Sequence, residues 1–214
     1  MQKKKKLFIF DLDGTLVDAY RAIEKSLNFT RRLLKLPPVS YGKIKKNIGR
    51  GDKNFVKTFF PGANAKPALE IYREHHKGAL KKYARLKPNA KKLLFILKRK
   101  HKIVSIASNR PAAYTHIIVK KTGIGKYLDF VLCADEINSL KPKPKIIELI
   151  LKKFKTNKES ALYAGDMDID LETAIRAGVD PVFVLGGSSR LSDVAKYPDK
   201  KVVRSLTQIA KIYA

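Results

Sequence analysis

The chain is short of cysteine, of acidic residues and of long apolar runs, and each shortage closes a class of function. Cys133 is the only cysteine among 214 residues, so an intramolecular disulfide and a cysteine-rich zinc site are both excluded. The apolar stretch Leu7-Phe8-Ile9-Phe10 ends at Asp11, well short of the roughly 7 to 15 residues of a secretory signal core. No window approaches the roughly 18 apolar residues of a membrane span. With only 10 prolines and 12 glycines against 44% apolar residues, the chain holds enough core-forming side chains to exclude global disorder. A soluble cytoplasmic protein is expected, with one sizeable core and room for an inserted subdomain.

Acidic residues number 19 against 46 lysines and arginines, a formal charge of +27. Such a field attracts polyanions, so nucleic acid, anionic lipid and phosphorylated metabolites are all candidate partners. The lysines are spread along the whole chain, for example at Lys45-Lys46, Lys91-Lys92, Lys120-Lys121 and Lys152-Lys153. Dispersion favours a solvated basic surface over a binding stripe.

Short apolar runs rich in branched residues recur at 7–10, 103–107, 130–132, 161–164 and 182–185, and each reads as a buried strand. Helical periodicity fills the intervals 90–100, 112–122, 144–154 and 171–177. Alternation of this kind predicts an α/β fold, a Rossmann-like parallel sheet covered on both faces in three layers. From 18 to 85 the alternation stops, and helical patterns at 22–36, 55–60 and 68–83 are punctuated by Pro37-Pro38 and Pro61-Gly62. That interval is too long for one crossover helix. It reads as a helical cap inserted into a core made of 1–17 and 86–214, hinged near 16–19 and 82–88.

The run Asp11-Leu12-Asp13-Gly14-Thr15 sets two carboxylates at the carboxyl end of the first strand, the edge where open α/β sheets bind ligands. Two close anions are costly unless a cation or shared proton compensates. A second acidic cluster, Asp166, Asp168 and Asp170, follows the strand at 161–164. Oxygen-only donors with open positions suit magnesium far better than zinc. Ser108-Asn109 follows the strand at 103–107, and Lys141-Pro142-Lys143-Pro144 follows that at 130–132. They bring a hydroxyl, a backbone N–H and an ammonium to the same edge, all able to hold phosphoryl oxygens.

In these motifs and their order the chain resembles the haloacid dehalogenase-like hydrolases, and within them the phosphoglycolate phosphatase-like branch with a helical cap. The resemblance covers nearly the whole chain. It implies that Asp11 is the nucleophile, Asp13 the general acid and then base, and Lys141 a catalytic cation chosen over Lys143 and Lys145. Ser108, the Asn109 N–H and Lys141 would bind phosphate. Magnesium would be held by Asp11, the Asp13 carbonyl and Asp166, with Asp170 close by or acting through water. The presence of Asp13 favours phosphate esters over carbon–halogen bonds, because an alkoxide leaving group needs an acid. The implied activity is a magnesium-dependent phosphatase for a small phosphorylated metabolite, phosphoglycolate-like or a sugar phosphate, in a monomer or homodimer. A β-phosphoglucomutase-like phosphotransferase, or a nucleic-acid-associated protein or polynucleotide phosphatase on the same fold, are the alternatives.

Other residues receive blander readings. Arg50, in Ile48-Gly49-Arg50-Gly51, is either a specificity residue gripping a second anionic group or a surface arginine in an ordinary turn. Asp168 reads as a cap or surface residue. Adjacent His75 and His76 point about 100° apart on a helix and read as solvent-exposed. Cys133 reads as the end of a buried strand.

Overall fold

The computed structural model describes residues 4–49 and 51–214. Its sheet is built from β1 (Leu7–Phe10), β4 (Ile103–Ser108), β5 (Phe130–Cys133), β6 (Ala161–Gly165), β7 (Asp180–Val184) and β8 (Lys201–Val203). A short two-stranded ribbon pairs β2 (Val17–Asp18) antiparallel with β3 (Arg85–Leu86). The large sheet runs in the order β5-β4-β1-β6-β7-β8, every pair parallel.

The alternation of side chains in β1 explains the layers. Phe8 and Phe10 enter one apolar cluster, with Leu93, Leu94 and Leu97 of α5 (Ala90–Arg99), Ile118 of α6 (Ala112–Thr122) and Ile209 of α9 (Thr207–Tyr213). Leu7 and Ile9 face the opposite way, onto Ile146, Ile147 and Ile150 of α7 (Lys145–Lys153) and Ala174 of α8 (Asp168–Ala177). All four β1 side chains are fully buried, each worth roughly 1.5–3 kcal/mol of transfer free energy. A strand covered on both faces must be apolar at every position, as this one is.

Between β2 and β3 the chain passes through α1 (Tyr20–Leu33), α2 (Tyr41–Lys45), α3 (Asp52–Phe59) and α4 (Ala65–Tyr83). These helices share an apolar cluster of their own, in which Ile23 and Leu27 of α1 meet Phe55, Phe59 and Tyr72. Among the described residues no helix is long and apolar enough to cross a membrane.

Strand order positions the site. From β1 the chain goes on to β4 and β5 on one side, then crosses to β6, β7 and β8 on the other. The carboxyl end of β1 therefore lies at the switch point, where the connections on its two flanks diverge and leave a crevice. Phe10 pairs with both Ile106 and Ala164, so Asp11 falls level with Ala107 and Gly165, one step short of Ser108 and Asp166.

Candidate active site

Asp11, 6% exposed, emerges at that switch point. The Lys141 ammonium donates to Asp11 Oδ1 at 2.7 Å, to Asp170 Oδ1 at 2.7 Å and to the Tyr163 hydroxyl at 2.8 Å. Burial opposes a charged lysine here, but Asp11 and Asp170 more than offset it and hold Lys141 well above its usual range. Burial pushes Asp11 well up, Lys141 pulls it back in part, and Asp170 and Asp166 add to the rise. Lys141 is itself fixed by Asn109, whose side-chain oxygen accepts from the Lys141 N–H at 2.8 Å. The Asn109 amide also donates to the Gly49 carbonyl of the inserted helical segment at 2.9 Å.

Asp166 is fully buried, and its oxygens accept from the Thr15 hydroxyl at 2.9 Å, the Ser188 N–H at 2.6 Å and the Tyr20 hydroxyl at 3.3 Å. Burial, then the neighbouring Asp170, raises its carboxyl to about 6, against the pull of the Ser188 and Thr15 donors. Two glycines make room for it. A Cβ on Gly14, at φ 88°, would stand 2.4 Å from Asp166 Oδ2, and one on Gly187 would stand 2.1 Å away. Asp170 accepts from the Met167 N–H at 3.0 Å with its second oxygen, closing the first turn of α8.

The carboxylates of Asp11, Asp166 and Asp170 offer oxygens within 4.8 Å of one another, all buried. Among the described residues these three carboxylates have one ammonium within hydrogen-bond reach, so the cluster carries surplus negative charge out of water. Oxygen-only donors with that surplus fit a hard divalent cation, magnesium before zinc.

Asp13 lines a cavity with Asp11 but keeps different company. Its Oδ2 accepts from Arg110 Nε at 2.5 Å. Its Oδ1 is buried with no hydrogen-bond partner among the described residues. Ser108 Oγ accepts from the Arg110 N–H at 3.1 Å. Asp11, Asp13, Ser108, Arg110 and Lys141 all line one cavity of about 60 Å³, roofed by Ile23, Phe55 and Tyr72 of the inserted helices.

The residues expected from sequence thus converge: Asp11, Asp13, Ser108, Asn109, Lys141, Asp166 and Asp170 meet at one sheet edge. Arg50 lies outside the described residues. Sequence reading placed Thr15 in the first motif without a role and missed Arg110, Tyr20, Tyr163 and Ser188, with partners as much as 168 residues away. It also misplaced His76, which is not exposed but 1% accessible, with Nε2 2.8 Å from Arg110 Nη1. The rotation between adjacent helix positions buries one of the pair and leaves His75 half-buried.

The family model for haloacid dehalogenase-like hydrolases matches residues 8–184. A phosphoglycolate phosphatase of Aquifex aeolicus is 27% identical over 210 residues, covering 92% of this chain and 99% of that protein. Another, of Agrobacterium fabrum, is 26% identical over 200 residues, covering 90% and 86%. Among solved structures, one described as a predicted phosphoglycolate phosphatase from Haemophilus somnus superposes with a TM-score of 0.91 at 24% identity, over 99% of both chains, a likeness of fold. With its motifs gathered at the carboxyl edge of the sheet and the model spanning most of its length, the chain belongs to the haloacid dehalogenase-like hydrolases.

Proposed function

We propose that the protein is a magnesium-dependent phosphomonoesterase for a small metabolite, working through an aspartyl-phosphate, and that phosphoglycolate is the first substrate to try. Its strongest support is a division of labour within one loop. Asp11 is held among Lys141 and two further carboxylates, while Asp13, two residues on, keeps a buried oxygen unused.

In the first step an Asp11 oxygen attacks phosphorus, the bond from phosphorus to the ester oxygen breaks, and Asp13 delivers its proton to the departing alkoxide. In the second, water attacks the phosphorus of the aspartyl-phosphate and gives a proton to Asp13. The Asp11–phosphorus bond breaks, and orthophosphate leaves. Lys141, Ser108 and the Asn109 N–H hold the equatorial oxygens as charge develops on them. Asp11, the Asp13 carbonyl and Asp166 would hold magnesium, with Asp170 beside them. When bound, the ion offsets the repulsion between an anionic nucleophile and an anionic phosphate. The helices of 18–85 act as a cap that closes over the cavity and keeps out bulk water. Three observations favour a small substrate over a polynucleotide end: a cavity of about 60 Å³, its apolar roof, and two relatives named phosphoglycolate phosphatase.

Hydrolysis of an aryl phosphate and of 2-phosphoglycolate, with and without magnesium, tests the proposal. Turnover is expected only with the ion, and Asp11→Asn should lower it by about a thousandfold or more. Magnesium-independent turnover, or an Asp11→Asn variant as fast as wild type, would refute it.

A further inference from the structure

His76 lies on α4, yet it reaches the nucleophile loop through one intermediary. Its Nε2 is 2.8 Å from Arg110 Nη1, and Arg110 Nε is 2.5 Å from Asp13 Oδ2. A guanidinium has only donors, so His76 Nε2 must accept with its lone pair. The imidazole is therefore neutral and carries its proton on Nδ1. That proton faces Ser26 Oγ at 3.0 Å, and the Ser26 hydroxyl in turn meets His75 Nδ1 at 3.1 Å. Tyr72 stacks on the His76 ring at a centroid distance of 4.9 Å, and Tyr114 meets it edge-on at 5.2 Å. The ring is thus fixed in position, tautomer and charge, which is what a rigid acceptor for a buried cation requires.

Arg110 holds only one oxygen of Asp13, and the other, Oδ1, is buried and unpartnered among the described residues. A carboxyl gripped through Oδ2 cannot rotate freely, so Oδ1 stays fixed within a residue that lines the cavity. We propose that His76 is a positioning residue: through Arg110 it holds Asp13 with one oxygen turned toward the leaving group, so that the inserted helices complete the proton-transfer geometry when they sit over the sheet. The proposal rests on Asp13 being the acid and base.

The readout is leaving-group dependence, which a merely structural role leaves untouched. Two small substrates suffice: 2-phosphoglycolate, whose alkoxide needs a proton to depart, and acetyl phosphate, whose acetate does not. General acid catalysis contributes about 10²- to 10⁴-fold, and misplacing the acid forfeits part of that. In single turnovers His76→Phe, which keeps the ring and loses the acceptor, should slow glycolate release from 2-phosphoglycolate by about tenfold and acetate release from acetyl phosphate by less than about twofold, because hydrolysis of the shared intermediate follows both. His76→Gln restores an acceptor and should recover most of the loss. Adding His76→Phe to Arg110→Met should cost nothing further, because both act through the same link. Where His76→Phe does not fold, Ser26→Ala removes one acceptor of the His76 ring proton and leaves the Ala22 carbonyl, and should show the same selectivity in smaller measure. Equal losses on both substrates, or additive effects in the double variant, would overturn the positioning role. Wild type that turns over neither substrate, or an Asp13→Asn variant equally slow in releasing glycolate and acetate, would instead refute the proposed function itself.

Discussion

His76 and Asp166 are both buried titratable groups, and burial drives them in opposite directions. Burial first, and the Arg110 charge second, hold the His76 imidazole well below its ordinary 6.5. The unfolded chain therefore takes up the proton first on acidification. The stability His76 contributes is present above 6.5 and is lost as pH falls through that value toward the lower folded one. Asp166 has the reverse sign: raised from 3.8 to about 6, it gives stability in acid that disappears as pH rises through about 6. Thermal melts in chelator, compared between wild type and His76→Gln from about pH 7.5 down to about pH 5, isolate the histidine component. Wild type should lose more stability than the variant over that span; parallel curves would mean that His76 does not titrate on unfolding. None of this was legible from the adjacent pair His75-His76, because the partners that bury one ring, Tyr72 apart, come from other elements. Asp11 and Asp13 were legible because their shared loop sits at a strand end, where two carboxylates have a cost that only chemistry or a cation offsets.

At the scale of elements, the strands that carry the site were the easiest to read. β1, β4 and β6 are covered on both faces, so their apolar runs are nearly continuous. The missed elements are short, exposed or both. β8 has three residues at the sheet edge, and β2 and β3 have two each. Pro181 hid the start of β7, whose first residues pair only with β6; β8 joins at Val182, so the missing N–H falls where one edge is still open. Glycines mark the contrast between elements that frame the site and those that do not. Gly187→Ala places a methyl 2.1 Å from Asp166 Oδ2 and should cost at least tenfold in turnover and abolish the rise in melting temperature that magnesium gives. Gly78→Ala, inside α4 with nothing within 4 Å of the new methyl, should instead stabilise the protein by about 0.5–1 kcal/mol with turnover unchanged. Matching melts and rates for the two variants would show that the loop before Ser188 does not shape the carboxylates proposed to hold magnesium.

For the whole molecule, two features of the sequence separate cleanly. The charge of +27 is spread along the whole chain, while the cationic groups that face the cavity among the described residues, Lys141 and Arg110, are both committed to buried carboxylates. The lysine excess therefore bears on the long-range field that draws anions in, and the chemistry is confined to the crevice that the strand order creates. The two are joined by the segment from β2 to β3, which places its own apolar cluster above that crevice and sends Gly49 and His76 down to the residues just after β4. The central claim, that Asp11 carries the phosphoryl group, is tested most directly in Asp13→Asn given acetyl phosphate and magnesium. Acetate needs no acid to leave, but hydrolysis of the intermediate lacks its base, so the intermediate should accumulate. Acid quench and peptide mass analysis should find one phosphoryl group on the peptide containing Asp11, absent when Asp11→Asn is added. Acetate release with no adduct there, or an adduct on another residue, would contradict the account.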